Sequence, residues 1–152
     1  IRHIDEEAGY NFGGAVDDIW EKTNGELIVV DVKATSKNVF DWEDTYSKWE
    51  YAKGYKRQLE MYQWLLEKNG FNVAPEGYLV YYNGLKNEPM FNQALKFELH
   101  LVELQCNDNW VDATLVEAKK MLDSDEYPQG SKNCETCQYL KKRWNINYVH
   151  CS

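Results

Sequence analysis

The sequence predicts an α/β fold in which a mixed β-sheet is flanked by helices. Short apolar runs bounded by turn residues alternate with amphipathic stretches, and in chain order they give a β-hairpin, a helix, two strands and a second helix. The chain has 152 residues, which is the size of one ordinary domain. We therefore expect a single domain over residues 1–152, with a Cys-containing tail at about 128–152.

The hairpin is predicted from two runs rich in apolar and β-branched residues, 15–20 and 27–33. Asn24 and Gly25 lie between them, and both residue types tolerate the positive φ that hairpin turns require. If these two residues form a strict two-residue turn, Asp31 faces Asp18. A loop that differs by one residue, or a bulge, brings Asp17 opposite Asp31 instead.

The most regular helical pattern covers residues 55–69, where large apolar side chains recur at helical spacing before the stop signal Asn69-Gly70. Residues 35–53 precede it without a clear period and predict a loop containing a short helix. Three further elements follow in order, namely a buried strand at 77–83, a half-exposed strand at 94–104 and a helix at about 110–122.

Charge and hydropathy argue against two classes of protein, those that bind nucleic acid by bulk electrostatics and those that span a membrane. Lys and Arg number 17 against 25 Asp and Glu, for a net charge of -8, which argues against holding nucleic acid by bulk electrostatics. The longest strongly aliphatic run, Leu27 to Val30, has four residues, whereas a membrane helix needs roughly 18. We expect no membrane association, and because no secretory leader is visible we expect a cytoplasmic protein.

The most informative charges follow that aliphatic run. Asp31 and Lys33 lie on one face of the predicted strand, and buried charges are costly unless they are paired. Taken by themselves, Asp31 and Lys33 could form an ordinary ion pair. The hairpin, however, also brings Asp17 or Asp18 beside Asp31. Two adjacent carboxylates repel unless a proton or a cation lies between them, and carboxylate oxygens suit Mg²⁺ or Mn²⁺.

Three motifs together resemble those of a known family. Gly14-x-Val16-Asp17, Asp31-x-Lys33 at the end of an apolar strand, and Gln58-x-x-x-Tyr62 on the next helix resemble the PD-(D/E)xK nuclease superfamily, in its RecB-like branch. The resemblance implies a restriction-endonuclease-like core and a metal-dependent DNA nuclease. The implied enzyme is an exonuclease of DNA repair, recombination or phage-related processing. The alternative is a catalytically inactive module of the same fold that binds nucleic acid or serves in assembly.

The resemblance also implies the site residues. Asp17, Asp31 and the backbone carbonyl of Val32 would bind the metal, and Lys33 would act on the attacking nucleophile. Gln58 and Tyr62 would line the site from the helix. The family spacing from Gly14 favours Asp17 over Asp18 as the ligand.

DNA is the expected partner, with a homo-oligomer or a larger recombination complex left open. The cations Lys53, Lys56 and Arg57 directly precede Gln58, among the aromatic residues Trp49, Tyr51 and Tyr55. Such a cluster is suited to gripping phosphates and stacking unpaired bases.

The tail contains the metal-ligand spacing Cys134-x-x-Cys137, followed by His150 and Cys151. A zinc site is compatible with these ligand types, but free thiols are the favoured interpretation. Some RecB-like nucleases hold an iron-sulfur cluster through one upstream Cys and three in the tail. That cluster is not expected here, because Lys142 stands where another Cys would be needed and no Cys precedes the motifs.

Overall fold

Six strands and four helices form the described part of the chain, residues 1–87, 93–126 and 130–144, in a computed structural model. The strands are β1 (Arg2–Asp5), β2 (Tyr10–Gly13), β3 (Asp18–Glu21), β4 (Leu27–Thr35), β5 (Val73–Gly84) and β6 (Phe97–Gln105). The helices are α1 (Trp42–Lys48), α2 (Glu50–Lys68), α3 (Val111–Leu122) and α4 (Glu135–Trp144). The chain divides into two compact units, Ile1–Thr114 and Leu115–Ser152, and the first contains every strand named above.

The central sheet has four strands in the order β3-β4-β5-β6. β4 and β5 are parallel and are joined by a crossover through α1 and α2, whereas the two outer pairs are antiparallel. The predicted mixed α/β sheet is therefore confirmed. β1 and β2 form a separate antiparallel hairpin. Across these ranges, no helix is both long and apolar enough to cross a membrane.

The turn of the β3-β4 hairpin differs from a strict two-residue turn. The Lys22 amide donates to the Glu26 carbonyl at 2.9 Å, so the connection has three residues, Thr23 to Gly25. Gly25 has φ of +83°, the left-handed conformation that a three-residue hairpin loop requires. The resulting register pairs Asp18 with Val30.

The main core lies between α2 and one face of the sheet. Leu59 and Leu66 of α2 pack with Val29 of β4 and Leu79 of β5, and all four are 3% exposed or less. This face includes the odd-numbered residues of β4, because strand side chains alternate. Asp31 and Lys33 therefore extend from the rim of an apolar core toward α2.

Several predicted boundaries were wrong. α2 begins at Glu50 rather than 55, after the short helix α1, whose N-cap Asp41 accepts the Asp44 amide. β3 begins only at Asp18. The β1-β2 hairpin and α4 were missed because the two strands have four residues each and α4 has ten, too few for a reliable period.

Candidate metal centre

Asp17 and Asp31 form a carboxylate pair across the hairpin. Asp18 pairs with Val30 at the start of β3, so the preceding residue, Asp17, comes next to Asp31 at the end of the hairpin. The charge of Asp17 acts directly on the Asp31 carboxylate. Asp31 is only 1% exposed, while Asp17 is exposed.

Asp17 also hydrogen-bonds to the backbone of β4 beyond the last residue that β3 pairs with. Its Oδ2 accepts the Val32 amide at 2.9 Å, in the position where a backbone carbonyl would lie if β3 extended further. The N–H and C=O of one strand residue point to the same edge. The Val32 carbonyl is therefore directed toward the edge of β4 at which Asp17 lies.

Asp18 lies in a different environment. Its two carboxylate oxygens accept the Ile19 amide at 2.8 Å and the Trp20 indole N–H at 3.1 Å. Neighbouring strand residues also point to opposite faces of a sheet. The register and these local bonds together separate Asp18 from the Asp31 side chain.

Burial raises the pKa of Asp31, and the like charge of Asp17 raises it further, while Lys33 opposes both. The Lys33 Nζ lies 2.5 Å from Asp31 Oδ2. Lys33 thus pairs with the buried carboxylate at Oδ2. A metal ion held by Asp31 would share the carboxylate with this ammonium.

Lys33 connects the carboxylates to α2. Its ammonium donates to Gln58 Oε1 at 3.0 Å and lies 4.5 Å from the centre of the Tyr55 ring. The Gln58 amide donates in turn to Tyr62 Oη at 3.1 Å. Gln58 and Tyr62 are neighbours on one face of α2 because they are four residues apart. The structure therefore links Asp31, Lys33, Gln58 and Tyr62 in one polar chain.

The donor set fits a hard divalent cation. Two carboxylates and one carbonyl supply oxygen atoms, which Mg²⁺ and Mn²⁺ prefer. The described ranges contain no group of three or more His, Cys, Asp or Glu side chains placed to hold a metal. The protein would therefore supply only part of the coordination, as is common where water and phosphate oxygens complete it.

A family model describing the PD-(D/E)XK nuclease superfamily matches residues 1–141. The chain belongs to this superfamily. No curated protein and no solved structure matches the chain. The four-stranded mixed sheet with α2 against one face agrees with the restriction-endonuclease-like fold of PD-(D/E)XK proteins, and membership suggests nuclease activity.

The three cations expected to bind DNA have acidic partners within α2. Lys53 and Arg57 both contact Glu50, at 3.1 and 3.4 Å, and Lys56 lies 3.8 Å from the buried Glu60. These acids reduce the positive field that a phosphate would meet. Aromatic rings run beside them in sequential contact, from Trp49 through Tyr51 to Tyr55, next to Lys33.

The tail cysteines belong to the second unit. The Cys137 amide donates to Cys134 Sγ at 3.4 Å, and hydrogen bonds from Cys137 lower the pKa of the Cys134 thiol. His150 and Cys151, the other residues considered for zinc, lie outside the described residues. Zinc therefore stays an untested alternative to the free thiols that the sequence favours.

Sequence reasoning missed a second polar contact on α2. Glu60 Oε2 accepts the Trp110 indole N–H at 2.8 Å, and its Oε1 accepts the Asn107 amide at 3.1 Å. No spacing signal could reveal this contact, because the partners are about 50 residues apart.

Gly14 of the PD-(D/E)XK motif has a steric role that can be tested. A Cβ at this position would lie 2.6 Å from Cε1 of Tyr62. Gly14→Ala should displace Tyr62 and destabilise the protein by about 1–3 kcal/mol, as overpacking does. Thermal unfolding checks this, with Gly54→Ala as the control that should not be destabilised, since a Cβ at Gly54 meets nothing within 4 Å and alanine favours a helix interior. An unchanged melting temperature in Gly14→Ala would contradict the proposed contact.

Proposed function

We propose that the protein is a Mg²⁺- or Mn²⁺-dependent deoxyribonuclease of the RecB-like branch that hydrolyses phosphodiester bonds. The observation that carries this proposal is the buried Asp31, which lies beside Asp17 and is joined through Lys33 to Gln58. The link from Lys33 to the Gln58-x-x-x-Tyr62 motif supports the RecB-like assignment. By the same resemblance, the enzyme degrades DNA from its ends in repair, recombination or phage-related processing.

Asp17, Asp31 and the Val32 carbonyl would hold the cation. When bound, the metal supplies Lewis acidity toward the phosphoryl oxygens. The negative charge of two carboxylates attracts that cation, and among the ion pairs of the described residues the one that balances it is with the Lys33 ammonium. Burial is the main cause of the raised pKa of Asp31, and metal binding would relieve the repulsion from Asp17 that adds to it.

Lys33 acts on the reacting groups from the other side. An ammonium has three protons, of which Asp31 and Gln58 engage up to two. The remaining proton can donate to the attacking water or to a phosphate oxygen as negative charge develops there. Gln58, held by Tyr62, fixes the direction in which that ammonium points. Gln58 and Tyr62 are thus positioning residues.

End-labelled linear DNA and covalently closed circular DNA test this function. With Mg²⁺ or Mn²⁺ the protein should shorten linear strands progressively and leave closed circles intact. Adding EDTA should abolish the reaction. Cleavage of circles at the same rate as linear DNA would contradict the exonuclease assignment, and cleavage in EDTA would contradict the metal-dependent mechanism. DNA binding without cleavage in either metal would identify a catalytically inactive module.

A further inference from the structure

A cavity adjoins the candidate metal centre. It has a volume of about 470 Å³ and shares Gln58 and Tyr62 with the polar chain that leads to Lys33. Beyond these, its walls include Phe12, Met61 and Trp110, with Arg57 as the charged residue. The volume is typical of sites for small organic groups. All of these residues belong to the first compact unit.

Trp110 is oriented at this cavity by a hydrogen bond to a buried carboxylate. Its indole N–H donates to the carboxylate of Glu60, which is 6% exposed and also accepts a backbone amide. A buried carboxylate forms strong hydrogen bonds and fixes the ring before any ligand arrives. An aromatic ring that is already ordered binds a flat partner without a further entropy cost.

Gly54 lines the cavity. It lies inside α2, does not have a positive φ, and a Cβ there would meet nothing within 4 Å. Glycine costs a helix interior about 1 kcal/mol relative to alanine, and neither backbone conformation nor packing explains that cost. A large side chain at this position would extend into open space at the cavity wall.

We propose that this cavity receives a nucleobase of an unpaired DNA strand, stacked on Trp110, while the neighbouring phosphate lies at the metal centre. This inference rests on the proposed nuclease function. A paired base cannot enter a cavity without leaving its stack, so the substrate is single-stranded DNA or a frayed end. Arg57 at the wall supplies a cation for the backbone, and flat aromatic surfaces accept any base. The site thus selects strand state rather than sequence.

Fluorescence anisotropy of a labelled single-stranded oligonucleotide, measured in EDTA, tests the cavity without requiring cleavage. Gly54→Leu should weaken binding roughly 10-fold, the scale of losing one stacked base. Gly54→Ala gains similar helix propensity but fills less space, so its loss of DNA-binding affinity should be smaller. Trp110→Ala should match Gly54→Leu, and Trp110→Phe should keep most of the affinity. Melting temperatures verify that each variant is folded.

An oligonucleotide of abasic sugar phosphates should bind wild type and Gly54→Leu equally. Unchanged affinity of base-containing DNA in both Gly54→Leu and Trp110→Ala would overturn the proposal. If wild type cleaves DNA while these variants bind normally, the base site fails and the nuclease function stands. If the variants lose binding while wild type cleaves nothing in Mg²⁺ or Mn²⁺, the base site stands and the nuclease function fails.

Discussion

Replacing Lys33 with methionine should lower the rate of DNA cleavage by about a thousandfold, the scale of losing one preorganised charge-stabilising donor. Methionine retains much of the unbranched aliphatic chain but removes the ammonium that lies between Asp31 and Gln58. The attacking water and the phosphate would then lack this donor. Single-turnover rates at saturating Mn²⁺ measure the change in the chemical step.

Lys37→Met is the matched control. The Lys37 ammonium donates to Thr45 Oγ1 at 2.6 Å, outside the polar chain that contains Lys33. Its replacement removes the same charge from the segment immediately after β4 and should leave the cleavage rate within about twofold, because the Lys37 ammonium is bonded to Thr45 rather than to Asp31 or Gln58. A Lys33→Met enzyme that retains more than a tenth of wild-type activity would contradict the role proposed for Lys33.

Lys33→Met should also raise the pKa of Asp31 further, because Lys33 is the group that opposes burial and Asp17. Asp31 would then remain protonated to higher pH and bind a cation less well. Measuring cleavage at several Mn²⁺ concentrations separates the two effects. If the cleavage rate stays low at saturating Mn²⁺, the cause is the lost ammonium. If saturating Mn²⁺ restores the rate, the cause is weaker metal binding by Asp31.

Local patterns predicted which of the candidate side chains lie together. The alternation of β4 placed Asp31 and Lys33 on one face, and helical periodicity placed Gln58 and Tyr62 together on α2; the structure joins all four. Each inference needed only the geometry of one element. The mixed sheet followed from the order of those elements.

The remaining features depended on contacts that local patterns do not determine. Whether Asp17 or Asp18 faces Asp31 depends on one residue of loop length, which became clear only from the Lys22-Glu26 pairing. The acid partners of Lys53 and Arg57 were equally hidden, since Glu50 lay in a segment predicted as a loop. The cavity at Trp110 needs α2 and a residue far along the chain to meet.

Asp17→Asn should abolish stabilisation of the protein by Mn²⁺, and Asp18→Asn should preserve it. At 100 times the dissociation constant, a bound ligand adds about 2.7 kcal/mol, which for a chain of this length raises the melting temperature by roughly 5–10 °C. Asp17 faces Asp31 across the hairpin, whereas the Asp18 carboxylate is bonded to its own strand. The two variants remove the same charge from adjacent positions, so bulk electrostatics cannot separate them.

The pH dependence of this stabilisation follows from Asp31. Its folded pKa is raised, so without metal its contribution favours folding below the ordinary carboxyl pKa of about 3.9 and is lost as pH rises through the raised value. A cation binds the ionised form, so the Mn²⁺-induced rise in melting temperature should shrink as pH falls toward that raised pKa. Without metal, Asp17→Asn should melt higher than wild type at neutral pH, because it removes the repulsion acting on Asp31. If Asp18→Asn instead lost the Mn²⁺ effect while Asp17→Asn kept it, the ligand assignment would be reversed.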